Sequence, residues 1–142
     1  MTFESIKTIR DLVTEAGKAY ENRVYLRTLR NNMIHDTTFG QFSLECNAIA
    51  AWTAEQSKNL GHQARVAMIS SNSALYVRMM LGVMVGGGTT VFLDPQATED
   101  VICACLNKAE ADILIWAPKL ALDVDQIRAR CKAITQTIHM AE

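Results

Sequence analysis

The sequence has no excess of charge of either sign: 14 Lys and Arg stand against 15 Asp and Glu, a net charge of -1 over 142 residues. That balance argues against nucleic-acid binding driven by bulk charge, and against attraction of the whole chain to an anionic membrane. Long apolar runs are also missing. The longest, Met79 to Leu93, is interrupted by Gly86, Gly87, Gly88, Thr89 and Thr90 and falls short of the roughly 20 residues that span a bilayer. No membrane span is expected. The opening Met-Thr-Phe-Glu-Ser-Ile-Lys lacks a basic stretch followed by an apolar one, so no secretory signal is read and a cytoplasmic location is expected. The four cysteines, Cys46, Cys103, Cys105 and Cys131, follow no framework spacing and fall inside apolar helical patterns, which suits reduced core thiols rather than disulfides. Repeats, linkers and low-complexity tracts are absent.

What is present is an ordinary globular composition, 49% hydrophobic and 20% charged. Against a prior of about 150 residues per domain the length suits a single domain, and a chain of this size buries about two-thirds of its unfolded surface. Intrinsic disorder is excluded.

Apolar residues Ile6, Ile9, Val13, Ala16 and Tyr20 recur at helical spacing and predict an amphipathic helix from Ser5 to Tyr20. Arg23 to Leu29 and Met33 to Thr37 read as two strands of a hairpin, joined by the turn-formers Arg30, Asn31 and Asn32. Thr38-Phe39-Gly40-Gln41 has the spacing of a capping box and predicts a helix running to Gly61, with Phe42, Cys46, Ile49 and Thr53 as one stripe. From Arg65 the pattern alternates. Strands are predicted at Arg65 to Ile69, Thr90 to Leu93 and Ile113 to Trp116, with a fourth beginning at Gln136. Between them lie helices over Ala74 to Val85, from an N-cap at Thr98-Glu99-Asp100 to Ala109 with Val101, Ile102, Cys105, Leu106 and Ala109 inward, and from Pro118 to Ile134. Alternation with short connections requires right-handed crossovers and a parallel sheet covered on both faces. The predicted fold class is therefore α/β: a doubly wound parallel sheet unit over residues 65–142, preceded by a helix, a β-hairpin and a second helix over residues 1–64.

Chemistry is thinly marked. Gly86-Gly87-Gly88-Thr89-Thr90 has the composition of a phosphate loop, but it leads from a helix into a strand and so presents the negative end of the helix dipole, and no lysine follows within reach. A tight turn is the expected role. Ser70-Ser71-Asn72-Ser73 runs in the favourable direction, from a strand's carboxyl end into a helix, where ligands of open α/β sheets gather. It is read first as a cap and second as a pocket wall. Cys103 and Cys105, two apart on a helix, cannot converge on one metal ion. His35, His62 and His139 stand at no spacing that implies a triad. No catalytic, cofactor-binding or metal-ligating residue is assigned within the chain.

Taken together, Thr38 to Phe42, Arg65-Val66-Ala67, Asn72-Ser73, Leu81-Gly82 through Gly88, Leu93-Asp94-Pro95 and Thr98-Glu99-Asp100 resemble the opening of AMP-forming, adenylate-forming ligases, which include acyl-CoA synthetases. The Thr38 to Phe42 stretch looks like the family's first core motif and Gly82 to Pro95 like its second. Phe39 stands for the usual tyrosine, Gln41 for glutamate, Ala64 for a frequent aspartate and Phe92 for a frequent proline. The resemblance implies an N-terminal scaffold segment, inactive in isolation, of an enzyme that uses ATP, Mg²⁺ and coenzyme A. The implied partner is the remainder of that ligase, and a homodimer of the segment is expected from apolar faces around Ile6, Ile9 and Val13 left without cover. The residues alone leave open a free-standing flavodoxin-like or Rossmann-like module that binds a small ligand or a partner at Ser70 to Ser73.

Overall fold

The computed structural model describes residues 4, 6–117, 120 and 122–140. Eleven elements follow in order among them: α1 (Ile9–Ala19), β1 (Val24–Arg30), β2 (Met33–Thr38), α2 (Phe39–Leu60), β3 (Arg65–Ile69), α3 (Ala74–Val85), β4 (Thr89–Leu93), α4 (Glu99–Ala109), β5 (Ile113–Trp116), α5 (Val124–Arg130) and β6 (Gln136–His139). β3 to β6 form one sheet in the order β4-β3-β5-β6, parallel throughout. The fold is the expected doubly wound α/β unit.

Alternate side chains of its strands point to opposite faces, and each face has its own core. Val66, Met68, Ile113 and Ile115 lie under α2 and α3, where Val83, Ile49 and Trp52 pack. Ala67, Ile69 and Leu114 lie under α4 and α5 with Ile102, Cys103, Leu106 and Ile127. Met68, Ile69, Ile113, Leu114 and Ile115 are fully buried; burial of such side chains contributes about 1.5–3 kcal/mol each. That explains why the two central strands, β3 and β5, are near-continuous apolar runs instead of alternating ones.

A third core joins the first 64 residues to this unit: Val13 of α1, Phe42, Cys46 and Ala50 of α2, and Val85 of α3. Val13 is thus covered, against the expectation that its face had lost its partner, while Ile9 and Leu12 remain about two-fifths exposed. The hairpin turn uses Asn31 and Asn32 at φ 49° and 60°, between the register partners Arg30 and Met33. This is the two-residue connection whose twist matches paired strands, and asparagine tolerates it best after glycine. A bulge between Val24 and Leu26 lets Tyr25 turn onto Phe39 and Phe42, at ring-centroid distances of 4.8 and 4.5 Å.

Four features differ from the sequence reading. α1 starts at Ile9, where Thr8 and Asp11 form a capping box that stops the helix short; Ser5 lies outside the described residues. Thr98 begins α4 without a side-chain cap. α4 is also rotated: Cys103 is buried with Ile102 and Leu106, whereas Val101 and Cys105 are exposed, so three of the four cysteines are core thiols, not all four. α5 is only seven residues long, capped by Asp123, while Pro118 lies outside the described residues. Beyond it Cys131 and Ile134 still reach the core under α4, which is why the apolar spacing outlasts the helix. No described helix is long and apolar enough to cross a membrane.

The Thr38 capping box is complete: Gln41 N donates to Thr38 Oγ1 at 3.2 Å and Thr38 N donates to Gln41 Oε1 at 3.0 Å. Thr38→Ala is expected to cost about 0.5–2 kcal/mol, read as a lower urea midpoint with unchanged slope.

Candidate functional site

In the order β4-β3-β5-β6 the chain leaves β3 toward β4 on one side and leaves β5 toward β6 on the other. The carboxyl ends of β3 and β5 therefore flank a topological switch point, the crevice where open α/β sheets hold ligands. Ile69 and Trp116 are register partners there, and Ala117 N donates to the Ile69 carbonyl at 3.0 Å. The rim carries Ser70 to Ser73 on the β3 side. Ser70 is buried and donates to the Ser71 carbonyl at 2.7 Å. Ser73 caps α3, accepting from Tyr76 N at 3.1 Å, in keeping with the capping role expected of this stretch. Ser71 and Asn72 are exposed. On one flank Asp94 closes a turn by accepting from Gln96 N at 2.8 Å. On the other, the Trp116 ring tilts against His139 of β6 at 5.2 Å between centroids. His139, isolated in the sequence, thus joins the same sheet edge as Ser70 to Ser73. This rim carries hydroxyl and amide groups beside an aromatic wall, with the Ser70 and Ser73 hydroxyls engaged by the backbone of Ser71 and Tyr76.

Gly86 to Thr90 falls at the opposite, amino edge. Gly87 takes φ 79° to make the turn, and the groups it presents are carbonyls. Val85 O accepts from Arg10 Nη2 at 2.7 Å and Nε at 3.1 Å, and Gly87 O accepts from Gln63 Nε2 at 2.6 Å. A cation and an amide donor occupy the negative end of α3, as its dipole favours. That surface does not fit a phosphate.

The amino edge also holds a cluster the sequence reading missed. Asp112, just before β5, is buried; its carboxylate accepts from Arg65 N at 2.8 Å and from Arg65 Nε and Nη2 at 3.2 and 3.3 Å. His62 Nε2 lies 3.0 Å from Asp112 Oδ1, and Arg65 Nη1 donates to Glu110 at 2.6 Å. Burial alone would raise the Asp112 pKa, but the hydrogen bonds from Arg65 and His62 outweigh it and hold the group below the usual carboxylate value. The separation of 50 residues between His62 and Asp112 leaves no local spacing to read. Burial pushes the thiols of Cys46 and Cys131 up to about 11, which makes them inert packing groups. Among the described residues no three His, Cys, Asp or Glu side chains converge as metal ligands. His35 is an exposed residue of β2.

An open cleft of about 630 Å³ lies away from the sheet rim, between α1 and the start of α2, where Thr14, Lys18, Gln41 and Asn47 line it. It is a polar seam between helices in close contact: a Cβ on Gly17 would stand 2.5 Å from Ser43 Cβ.

The profile of the AMP-binding enzyme family matches residues 13–142. A comparison with curated proteins gives no match. Among solved structures, a Rhodopseudomonas palustris protein assigned as a long-chain-fatty-acid CoA ligase superposes with a TM-score of 0.80 at 12% identity, over 96% of this chain and 33% of that one. The anthranilate CoA ligase AuaEII, solved with anthranoyl-AMP, gives 0.78 at 19% identity, over 99% and 27%. The N-terminal domain of FACL13 from Mycobacterium tuberculosis gives 0.76 at 18% identity, over 94% and 34%. The chain therefore spans about a third or less of each of these structures.

Proposed function

Because this chain belongs to the AMP-binding enzyme family, we propose that it is the N-terminal scaffold segment of an ATP-dependent, AMP-forming carboxylate ligase of the acyl-CoA synthetase type. The observation that carries this reading is the match of the family profile across residues 13–142, supported by superposition on CoA ligases. In such an enzyme a carboxylate oxygen would bond to the α-phosphorus of Mg²⁺-bound ATP with release of pyrophosphate, and the thiol of coenzyme A would then take the acyl group with release of AMP. Residues 1–64 would brace the unit formed by residues 65–142, through the core that Val13, Phe42 and Cys46 share with Val85.

This chain's own residues support neither a triphosphate nor its transfer: the glycine turn is lined by carbonyls already accepting from Arg10 and Gln63. Their contribution is to fix the sheet rim against which the rest of the ligase closes. The surfaces suited to that remainder are the outer edge of β6, an end strand of the sheet, and the adjoining apolar groove of about 320 Å³ between Ile49, Trp52, Met79 and Ile138. An edge that pairs with no other strand among the described residues, beside an apolar groove, is a template for a further strand or a second copy.

Pyrophosphate exchange tests the reading. The purified chain is expected to give none with a panel of carboxylates, and the ligase containing it is expected to give exchange with at least one. Turnover by the chain alone would overturn the scaffold assignment, since electrostatic stabilisation of the transferring group would have to come from residues that the assignment gives no such role.

A further inference from the structure

We infer that the cavity between the β1–β2 hairpin and the start of α3 binds a single phosphate-type oxyanion, inorganic phosphate or a phosphate monoester. The hairpin is patterned the wrong way round for a strand pair laid on an apolar core. Register pairs Leu26 with Thr37, Thr28 with His35 and Arg30 with Met33, so these side chains share one face. Leu26 packs on the core of Val13 and Phe42, and Thr37 Oγ1 accepts from Arg78 Nη2 at 2.9 Å, which turns that face inward. Yet Thr28, Arg30, His35 and Thr37 are polar, while Leu29 and Ile34 of the opposite face are left exposed. What the inward face covers is a cavity of about 340 Å³, walled on the far side by Glu45, Ala74 and Arg78.

Arg78 decides what this cavity takes. Its side chain is 21% exposed, whereas that of Glu45, whose Oε2 lies 2.6 Å from Arg78 Nε, is 44% exposed. The pair is a charge contact without an aligned hydrogen bond, because Arg78 Nε is buried and has no acceptor in line with its N–H. The carboxylate can turn to water; the guanidinium cannot. A tetrahedral oxyanion in the cavity presents several acceptors at once, and a guanidinium meets them with paired N–H donors. Arg30 and His35, on the hairpin wall, form no side-chain hydrogen bond or ion pair among the described residues and supply further donors. α3 opens on the cavity at Ala74 without an acidic residue in its first turn, so its dipole carries the same sign. Asp36, the other carboxylate of the wall, is held by Arg27 through two hydrogen bonds of 2.7 and 2.8 Å. One compact anion fits this balance, and a longer polyphosphate would run against Glu45 and Asp36.

Isothermal titration calorimetry of the purified chain, with ionic strength held constant by sodium chloride, tests the inference without any assay of ligase activity. Sodium phosphate and glycerol 2-phosphate are the probes, and saturable binding at one site is expected; tighter binding of the ester assigns the site to phosphate monoesters, and the reverse to the free ion. Glu45→Gln should tighten phosphate binding about threefold by removing the competing carboxylate, and Arg78→Lys, which keeps the charge but not the paired donors, should weaken it about tenfold. Loss of structure would not move neighbouring variants in opposite directions. Circular dichroism and urea melts check that the variants fold, and if Arg78→Lys does not, the exposed Arg30→Gln should still weaken binding about fivefold. No saturable heat from either probe at about 10 mM, ten times the roughly 1 mM dissociation constant expected of a few charged hydrogen bonds, would overturn the inference. So would a Glu45→Gln variant that binds no more tightly than wild type, or folded Arg30→Gln and Arg78→Lys variants that bind as wild type does.

Discussion

Gly86→Val is expected to destabilise the chain by about 3 kcal/mol or more, the upper end of what overpacking costs. A Cβ at this position would stand 2.6 Å from the Ala50 carbonyl oxygen, 2.9 Å from Ala50 Cα and 2.7 Å from Thr53 Cβ. Two of those three atoms are backbone of α2, so no rotamer change relieves the contact. Gly82, one turn earlier, faces the Ile49 side chain instead, whose Cβ would stand 2.5 Å from an added Cβ. The two glycines form a flat strip on α3 that lets α2 approach it, and through this contact the first 64 residues are fastened to the sheet. Gly87→Ala supplies the contrast. Nothing lies within 4 Å of its Cβ position, but φ is 79°, so its cost is backbone strain of about 1–2 kcal/mol. Urea unfolding of Gly86→Val, Gly82→Ala and Gly87→Ala separates packing from turn geometry. If Gly86→Val were no worse than Gly87→Ala, the α2–α3 contact would not be the fastening described.

This contact marks where the sequence stops being legible. Features written within a turn or two of chain are readable: the Thr38–Gln41 capping box, Gly61 in left-handed conformation after α2, the Asn31–Asn32 turn, and the apolar runs of β3 and β5. Each depends on neighbours that spacing reveals. The glycines of Gly82 to Gly88 are readable as a turn only at Gly87. The demand on Gly82 and Gly86 comes from α2, far back along the chain, and has no local signature. The rotation of α4 escapes the sequence for a similar reason: Val101 and Cys105 satisfy helical periodicity as well as Cys103 does, and the sheet beneath decides between them. Of the candidate rim, Ser70 to Ser73 is legible from strand-to-helix order, whereas the meeting of Trp116 with His139 requires the pairing of β5 with β6.

Asp112→Ala is expected to cost about 2–3 kcal/mol at neutral pH. Removing the carboxylate leaves the Arg65 backbone N–H without its 2.8 Å acceptor, and an unsatisfied buried donor costs about 1–3 kcal/mol. It also strips the guanidinium of its buried partner; the Arg65 side chain is 28% exposed, so that loss falls below the roughly 3–5 kcal/mol of a fully buried pair. Asp112→Asn keeps the shape and one acceptor oxygen but not the charge, and is expected to cost less. The two variants differ from wild type in a pH-dependent way whose sign follows from linkage. The Asp112 pKa is lowered in the folded chain, so the unfolded chain binds the proton first as pH falls. The stabilisation is fully present above the unfolded value of about 3.9 and is lost as pH drops from there through the folded value. The stability gap between wild type and Asp112→Asn should therefore be flat near neutrality and close toward acid, where a protonated Asp112 and the substituted amide carry the same charge. The gap to Asp112→Ala closes only in part, because the alanine lacks an acceptor for the Arg65 N–H at every pH. Urea midpoints of the three proteins across that range provide the measurement. A gap to Asp112→Asn that stayed constant with pH would show that the carboxylate acts by shape and hydrogen bonding, with its charge contributing nothing to the joint between β3 and β5.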